Sequence, residues 1–133
     1  SRRISAQHKA DNPAEARRVE KLGGFVLDGR VGGSLAVSRA FGNFELGKVT
    51  RPVPFVDSIA IKAPTEAQIE AKQRRFVVLA SDGLWDVMSP DQCANAVRTA
   101  LRRKKPKDTA AAIVGKAIAA GTMDNTTAIV AFF

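Results

Sequence analysis

Phe76-Val77-Val78-Leu79-Ala80-Ser81-Asp82-Gly83-Leu84-Trp85-Asp86 is the stretch on which the reading of this chain turns. The uninterrupted apolar run from Phe76 to Ser81 predicts a short strand buried on both faces. It delivers Asp82 to a turn where Gly83 allows unusual backbone angles. A carboxylate at the end of a buried strand is costly unless a cation or hydrogen-bond donors satisfy it. A second turn mirrors the first: Asp124-Asn125-Thr126-Thr127 stands directly before the apolar run Ala128 to Phe133. Two such carboxylates, Asp82 and Asp124, are oxygen ligands of the kind that Mg²⁺ or Mn²⁺ takes. Asn125 is placed to support Asp124 from behind as a donor. Asp-Gly and Asp-Asn are also ordinary turn pairs, and spacing alone leaves that plainer reading open. Asp86 reads as a structural ion-pair acid, with Arg39 as its candidate partner, and Trp85 reads as core.

Composition bounds the rest. A chain of 133 residues with 45% hydrophobic content can bury the core of one domain. The single cysteine, Cys93, cannot form an internal disulfide and reads as a buried, inert thiol. That points to a reduced, intracellular setting, cytoplasmic or nuclear. No apolar run approaches the roughly 20 residues of a membrane span, and the start Ser1-Arg2-Arg3-Ile4-Ser5 has no signal-peptide core. The first residue is not Met, consistent with a piece of a longer protein. A net charge of +8 favours acidic partners. With no tyrosine and one tryptophan, there is little on which to stack nucleic-acid bases.

Local signals place the elements. Asn12-Pro13-Ala14-Glu15 has the form of a helix start, and Gly23-Gly24 of its end. Phe25-Val26-Leu27 reads as a strand, Asp28-Gly29 as a hairpin turn, and Arg30 to Val37 as the return strand interrupted at Gly32-Gly33. Alternation at Phe55, Asp57, Ile59 and Ile61 predicts a strand within Pro52 to Lys62. Thr65 to Arg75 is polar and helix-prone. Ser89-Pro90-Asp91-Gln92 has the form of a capping box, with Cys93, Val97, Ala100 and Leu101 on one face of the helix it opens. Asp108-Thr109 opens another helix, with Ile113, Ala117 and Ala120 inward and Gly121 closing it. The last strand spans Thr126 to Phe133. Strands and helices do not alternate strictly, which disfavours a doubly wound sheet and favours an α+β fold, an antiparallel sheet with helices on one face.

Two rival signals weaken on inspection. The cluster Arg102-Arg103-Lys104-Lys105-Pro106-Lys107 could serve nuclear import or nucleic acid, yet cations are also favoured at a helix carboxyl end that a proline then stops. The glycines between Gly29 and Gly33 lack the Gly-x-x-x-x-Gly-Lys form of a phosphate loop.

Longer motifs add a resemblance. Arg30-Val31-Gly32-Gly33-Ser34-Leu35-Ala36-Val37-Ser38-Arg39-Ala40-Phe41-Gly42-Asn43 resembles a signature of the metal-dependent serine/threonine protein phosphatases of type 2C. His8-Lys9, Glu15-Ala16-Arg17-Arg18-Val19 and Gly23-Gly24-Phe25-Val26 resemble the segment that precedes it. Val78 to Met88 is similar to the family's most recognisable motif, and Asp124-Asn125-Thr126-Thr127 to its last. The four occur in family order over nearly the whole chain, so residues 1–133 read as the carboxy-terminal part of one catalytic domain. The resemblance implies an antiparallel β-sandwich flanked by α-helices. It also implies two Mn²⁺ or Mg²⁺ ions bound by aspartates at the sheet ends, and hydrolysis of phosphoserine or phosphothreonine in proteins by a metal-activated water. Catalysis then belongs to the water and not to a side-chain nucleophile. By motif position Asp82 and Asp124 are metal ligands and Asn125 their support.

The resemblance also implies what is not here. The family's amino-terminal half supplies an Asp-Gly-His-Gly-Gly motif, a further acidic ligand and a phosphate-gripping arginine, none of which occurs in these residues. His8 belongs to a different family position and reads as a surface or hydrogen-bonded histidine. Asn43 stands where Asp is commoner and is not expected to bind metal. Two carboxylates should hold a divalent cation weakly, so the chain alone is expected to turn over little phosphoprotein. Pairing with the missing amino-terminal half, or with another copy of the chain, is the expected way to cover open sheet edges. The alternative keeps the fold and drops the chemistry: a catalytically inactive binding or regulatory module. Neither nucleic acid nor a membrane is an expected partner, and the substrate-binding residues stay unassigned.

Overall fold

In the computed structural model, residues 1–70, 74–103 and 106–133 are described. The chain divides into two compact units, residues 4–60 and residues 61–133 joined by residues 1–3.

The first unit is built on helix α1, Pro13–Lys21. Asn12 Oδ1 accepts from Ala14 N (3.0 Å), and Pro13 occupies the first helical position, where no N–H is needed. Strands β1, Val26–Leu27, and β2, Arg30–Val31, form an antiparallel hairpin in which Val26 faces Val31 and Leu27 faces Arg30. Asp28 (φ 50°) and Gly29 (φ 70°) both take left-handed angles, which is the turn that a two-residue hairpin requires. The return strand is shorter than its sequence suggests. After Val31 the chain curls through Gly32-Gly33, makes a bridge between Val31 and Leu35, and continues to a second bridge between Lys9 and Val37. Ala10, Val19 and Val31 form the small core of the unit, with Val26, Leu35, Leu46 and Val49 against it. Two 3-10 turns follow within Phe44–Val49, broken at Gly47.

The strand expected within Pro52 to Lys62 is absent. The segment has no regular structure, and residues 51–60 are all exposed. Its alternation is real, but a strand exists only as one side of a hydrogen-bonded pair, and none lies alongside it among the described residues. Pro52 and Pro54 remove donors as well.

The second unit is a two-stranded ribbon with helices on one face. Strand β3, Phe76–Ala80, pairs antiparallel with β4, Ala128–Phe132, from Phe76 opposite Phe132 to Ala80 opposite Ala128. The rings of Phe76 and Phe132 meet edge to face, with centroids 6.2 Å apart. Helix α2, Glu66–Glu70, precedes β3; Thr65 and Gln68 cap it reciprocally. The remainder of the helix-prone stretch to Arg75 includes residues 71–73, which lie outside the described residues. After β3 come a single turn, α3 (Asp82–Trp85), then α4 (Pro90–Arg102) and α5 (Thr109–Ala119).

Leu84, Met88, Cys93, Ala96, Val97, Ile113 and Ala117 form the core, and alternate ribbon residues Phe76, Val78, Ala80, Ala128, Val130 and Phe132 close over it. The opposite ribbon face is open: Leu79 is 56% and Ile129 60% exposed. The expectation of β3 buried on both faces is therefore half right. A continuous apolar run does not alternate, yet the helices of this unit cover one side only. Trp85 packs on the core edge, donates Nε1 to Ala80 O (3.0 Å) and lies beneath the Arg3 guanidinium at 6.0 Å. Ala120, expected inward, is the exposed residue that caps α5.

The α4 capping box forms in full. Ser89 N donates to Gln92 Oε1 (2.8 Å), and Gln92 N donates to Ser89 Oγ (3.2 Å). Ser89→Ala is expected to cost about 1 kcal/mol, read as a lower urea midpoint at unchanged slope. Arg102 and Arg103 close α4 as expected, while Lys104 and Lys105 of the basic cluster lie outside the described residues.

Candidate functional site

Asp82 follows β3 and Asp124 precedes β4, so antiparallel pairing brings both to one end of the same ribbon. Ser81 fastens the two turns together. Its N donates to Thr127 O (3.0 Å), while its Oγ donates to Asn125 O (3.2 Å) and accepts from Thr127 N (3.1 Å). On the other side of Asp82, Gly83 lies against the same loop. A Cβ added there would stand 2.6 Å from Asn125 O and 2.7 Å from Thr126 Oγ1. Both neighbours of Asp82 thus touch the residues that follow Asp124. Only a residue without a side chain fits at position 83. Gly83→Ala is expected to push the turns apart at a cost of about 1–3 kcal/mol, measured by chemical denaturation.

Both carboxylates are exposed. Asp82 Oδ1 accepts from Gly83 N (3.1 Å), and Asp124 Oδ1 accepts from Asn125 N (2.7 Å). Asn125 therefore reaches Asp124 through its main chain. The Oδ2 atom of each aspartate makes no hydrogen bond among the described residues, which leaves anionic oxygens of the kind a hard cation takes. The donor chemistry fits Mg²⁺ or Mn²⁺, but as a pair. Among the described residues no group of three or more His, Cys, Asp or Glu side chains gathers into a cage.

Arg39, anticipated as the partner of Asp86, is directed elsewhere. The Glu15 carboxylate, 7% exposed, receives Arg39 Nη2 on Oε1 (2.5 Å) and Arg39 Nε (3.2 Å), Arg18 Nε (3.0 Å) and Ser38 Oγ (2.6 Å) on Oε2. The same two guanidiniums bind main-chain oxygens: Arg18 those of Val49 (2.9 Å) and Ser38 (2.6 Å), and Arg39 that of Val53 (3.0 Å). Arg39 first, then Ser38 and Arg18, hold the Glu15 pKa down from 4.5 to about 2 against the opposing effect of burial. This acid ties the Ser38-Arg39 stretch to α1. Its sequence signal was limited to Arg18 one turn away, because Ser38 and Arg39 are distant in the chain.

His8 is half-buried beside Glu15, and its ring makes no hydrogen bond among the described residues. Its Nδ1 lies 3.5 Å from Glu15 Oε1, and both ring nitrogens are shielded from solvent without a hydrogen bond. Asn43 takes a left-handed φ of 55° and donates Nδ2 to Glu45 Oε1 (3.3 Å). Cys93 is buried, and burial pushes its thiol pKa up, the opposite of what a nucleophile needs.

Known proteins resemble this chain in sequence and in fold. The family model "Protein phosphatase 2C" matches residues 1–126. The chain is 39% identical to "Probable protein phosphatase 2C 69" of Arabidopsis thaliana, over 98% of this chain and 34% of that protein. It is 33% identical to "Protein phosphatase 2C homolog 1" of Saccharomyces cerevisiae, over 98% of this chain and 42% of that protein. It therefore spans well under half the length of these relatives. Among solved structures, a serine-threonine phosphatase 2C from Toxoplasma gondii superposes with a TM-score of 0.72 at 27% identity, covering 98% of this chain and 46% of that one. A sex-determining protein of C. elegans superposes with a TM-score of 0.77 at 28% identity, covering 98% and 32%. With the family model matched over residues 1–126, and helices and antiparallel strands like those of the Toxoplasma gondii phosphatase, the chain belongs to the protein phosphatase 2C family.

Proposed function

We propose that these residues form the carboxy-terminal part of one phosphatase 2C catalytic domain, with Asp82 and Asp124 as metal ligands and Asn125 as their support. The domain hydrolyses phosphoserine and phosphothreonine in protein substrates, in the cytoplasm or nucleus. The observation that carries the reading is the Ser81 fastening, which sets the two aspartate turns side by side with anionic oxygens to spare. A bound Mg²⁺ or Mn²⁺ would acidify a water and offset charge on the phosphoryl oxygens. The chain's own part is positional. Ser81 fixes the distance between the turns, Gly83 lets them close, and the Gly83 and Asn125 N–H groups orient one oxygen of each carboxylate.

Two carboxylates bind a divalent cation less tightly than a full acidic set, because affinity follows ligand charge and number. The 133-residue chain alone is therefore expected to dephosphorylate a phosphothreonine peptide in Mn²⁺ at well below 1% of the rate of a complete relative, on the order of what losing ligands does to metal-assisted hydrolysis. A rate near that of a complete enzyme would refute this division of the site. The alternative is a binding module that uses the fold without the chemistry. Calorimetric Mn²⁺ titration of a complete domain separates the two. Saturable binding lost in Asp82→Ala and Asp124→Ala supports the enzyme; binding unchanged by both supports the module.

A further inference from the structure

Helix α1 turns Glu15 and Val19 toward its core, and the flank beside them borders a groove of about 430 Å³. Ala14, Arg17, Arg18, Lys21, Leu22 and Arg51 line it, all within residues 4–60, and no carboxylate does. Five of the six fall on one helical face by their spacing. Arg18 is held by Glu15 and main-chain oxygens and forms a fixed wall. Arg17, Lys21 and Arg51 are exposed and have no ion-pair partner among the described residues. The groove thus combines two aliphatic side chains, Ala14 and Leu22, with three unengaged cations.

We infer that this groove binds an acidic peptide segment with an aliphatic side chain among its carboxylates. Charge complementarity selects the sign of the ligand, and the aliphatic lining selects its kind. There is no aromatic ring in the groove on which a base could stack, whereas Leu22 and Ala14 offer contact to a Leu or Ile side chain. Arg17 and Lys21 are one turn apart, roughly 6 Å along the axis. That is close to the roughly 7 Å between alternate side chains of an extended peptide, so two carboxylates at i and i+2 can meet both cations. Arg51, which lies outside the helix and lines the same groove, can meet a third. The inference is independent of the metal site and would survive its failure.

The test is fluorescence polarisation with a labelled decapeptide of alternating Glu and Asp around one Leu, using the 133-residue chain. Saturable binding that weakens as ionic strength rises is expected. Arg17→Glu combined with Lys21→Glu should weaken it about tenfold, and Arg51→Glu by a smaller factor, with the circular dichroism spectrum unchanged. Reversal of two exposed cations elsewhere, Arg98→Glu with Lys107→Glu, changes net charge equally and should leave affinity within about twofold. Equal losses from both pairs would reduce the effect to net charge and overturn the site. So would equal binding of a peptide with Gln and Asn in place of its acids, or tighter binding of a single-stranded oligonucleotide of the same charge.

Discussion

Asp82→Ala and Asp124→Ala, each placed in a complete phosphatase 2C catalytic domain containing these residues, are expected to lower Mn²⁺-dependent turnover of a phosphothreonine peptide by about 100-fold or more. Each change removes one anionic oxygen set from the shared end of the β3–β4 ribbon while leaving the strands paired. Folding should be preserved, because both side chains are exposed and neither holds the core. The loss should appear first as a raised Mn²⁺ requirement, with activity partly restored at high metal, since a ligand has been removed and not a proton donor. Asp86→Ala serves as the comparison and should retain most activity. Loss in the two aspartate variants without any change in metal requirement would point to a different role for them.

Glu15→Ala carries the largest expected effect on stability, about 3 kcal/mol. It strips a nearly buried acid from beneath two guanidiniums and a hydroxyl, and leaves Arg18 and Arg39 partly buried and unpaired. Two guanidiniums about a quarter exposed keep some water, which places the figure at the low end of the range for broken buried pairs. The depressed pKa leads to a similar size: lowering from 4.5 to about 2 corresponds to roughly 3 kcal/mol. Because the folded-state value lies below the unfolded one, this stabilisation is fully present above pH 4.5 and is lost as the pH falls toward 2. Urea unfolding of the parent should weaken across that window, whereas the Glu15→Ala variant should show a flatter acid limb. A cost under about 1 kcal/mol at neutral pH, or an unchanged acid limb, would mean that the network is held by its main-chain contacts instead.

What could be read from the sequence was local. The Asn12 cap, the Asp28-Gly29 turn and the Ser89–Gln92 box each close within a few residues, so the chemistry of the turn itself decides them. The segment within Pro52 to Lys62 shows the limit: alternation supplies two faces but not the neighbour that makes a strand. The same limit hid the Glu15 network, whose partners Ser38 and Arg39 arrive only when the chain returns to α1. Asp82 and Asp124 were recognisable as strand-end acids, but their adjacency depends on the β3–β4 register and on Ser81, a residue with no mark in the sequence.

The most direct measurement is Mn²⁺ added in small steps to the ¹⁵N-labelled chain while amide signals are followed by NMR. A single centre gripped by both aspartates should broaden the amides of Asp82, Gly83, Asp124 and Asn125 together, at the same metal concentration, and Asp82→Ala should abolish the broadening at Asp124 and Asn125. Broadening at Asp124 and Asn125 that persists in Asp82→Ala at the same metal concentration, or that spreads evenly over the exposed acids, would contradict a shared cation site.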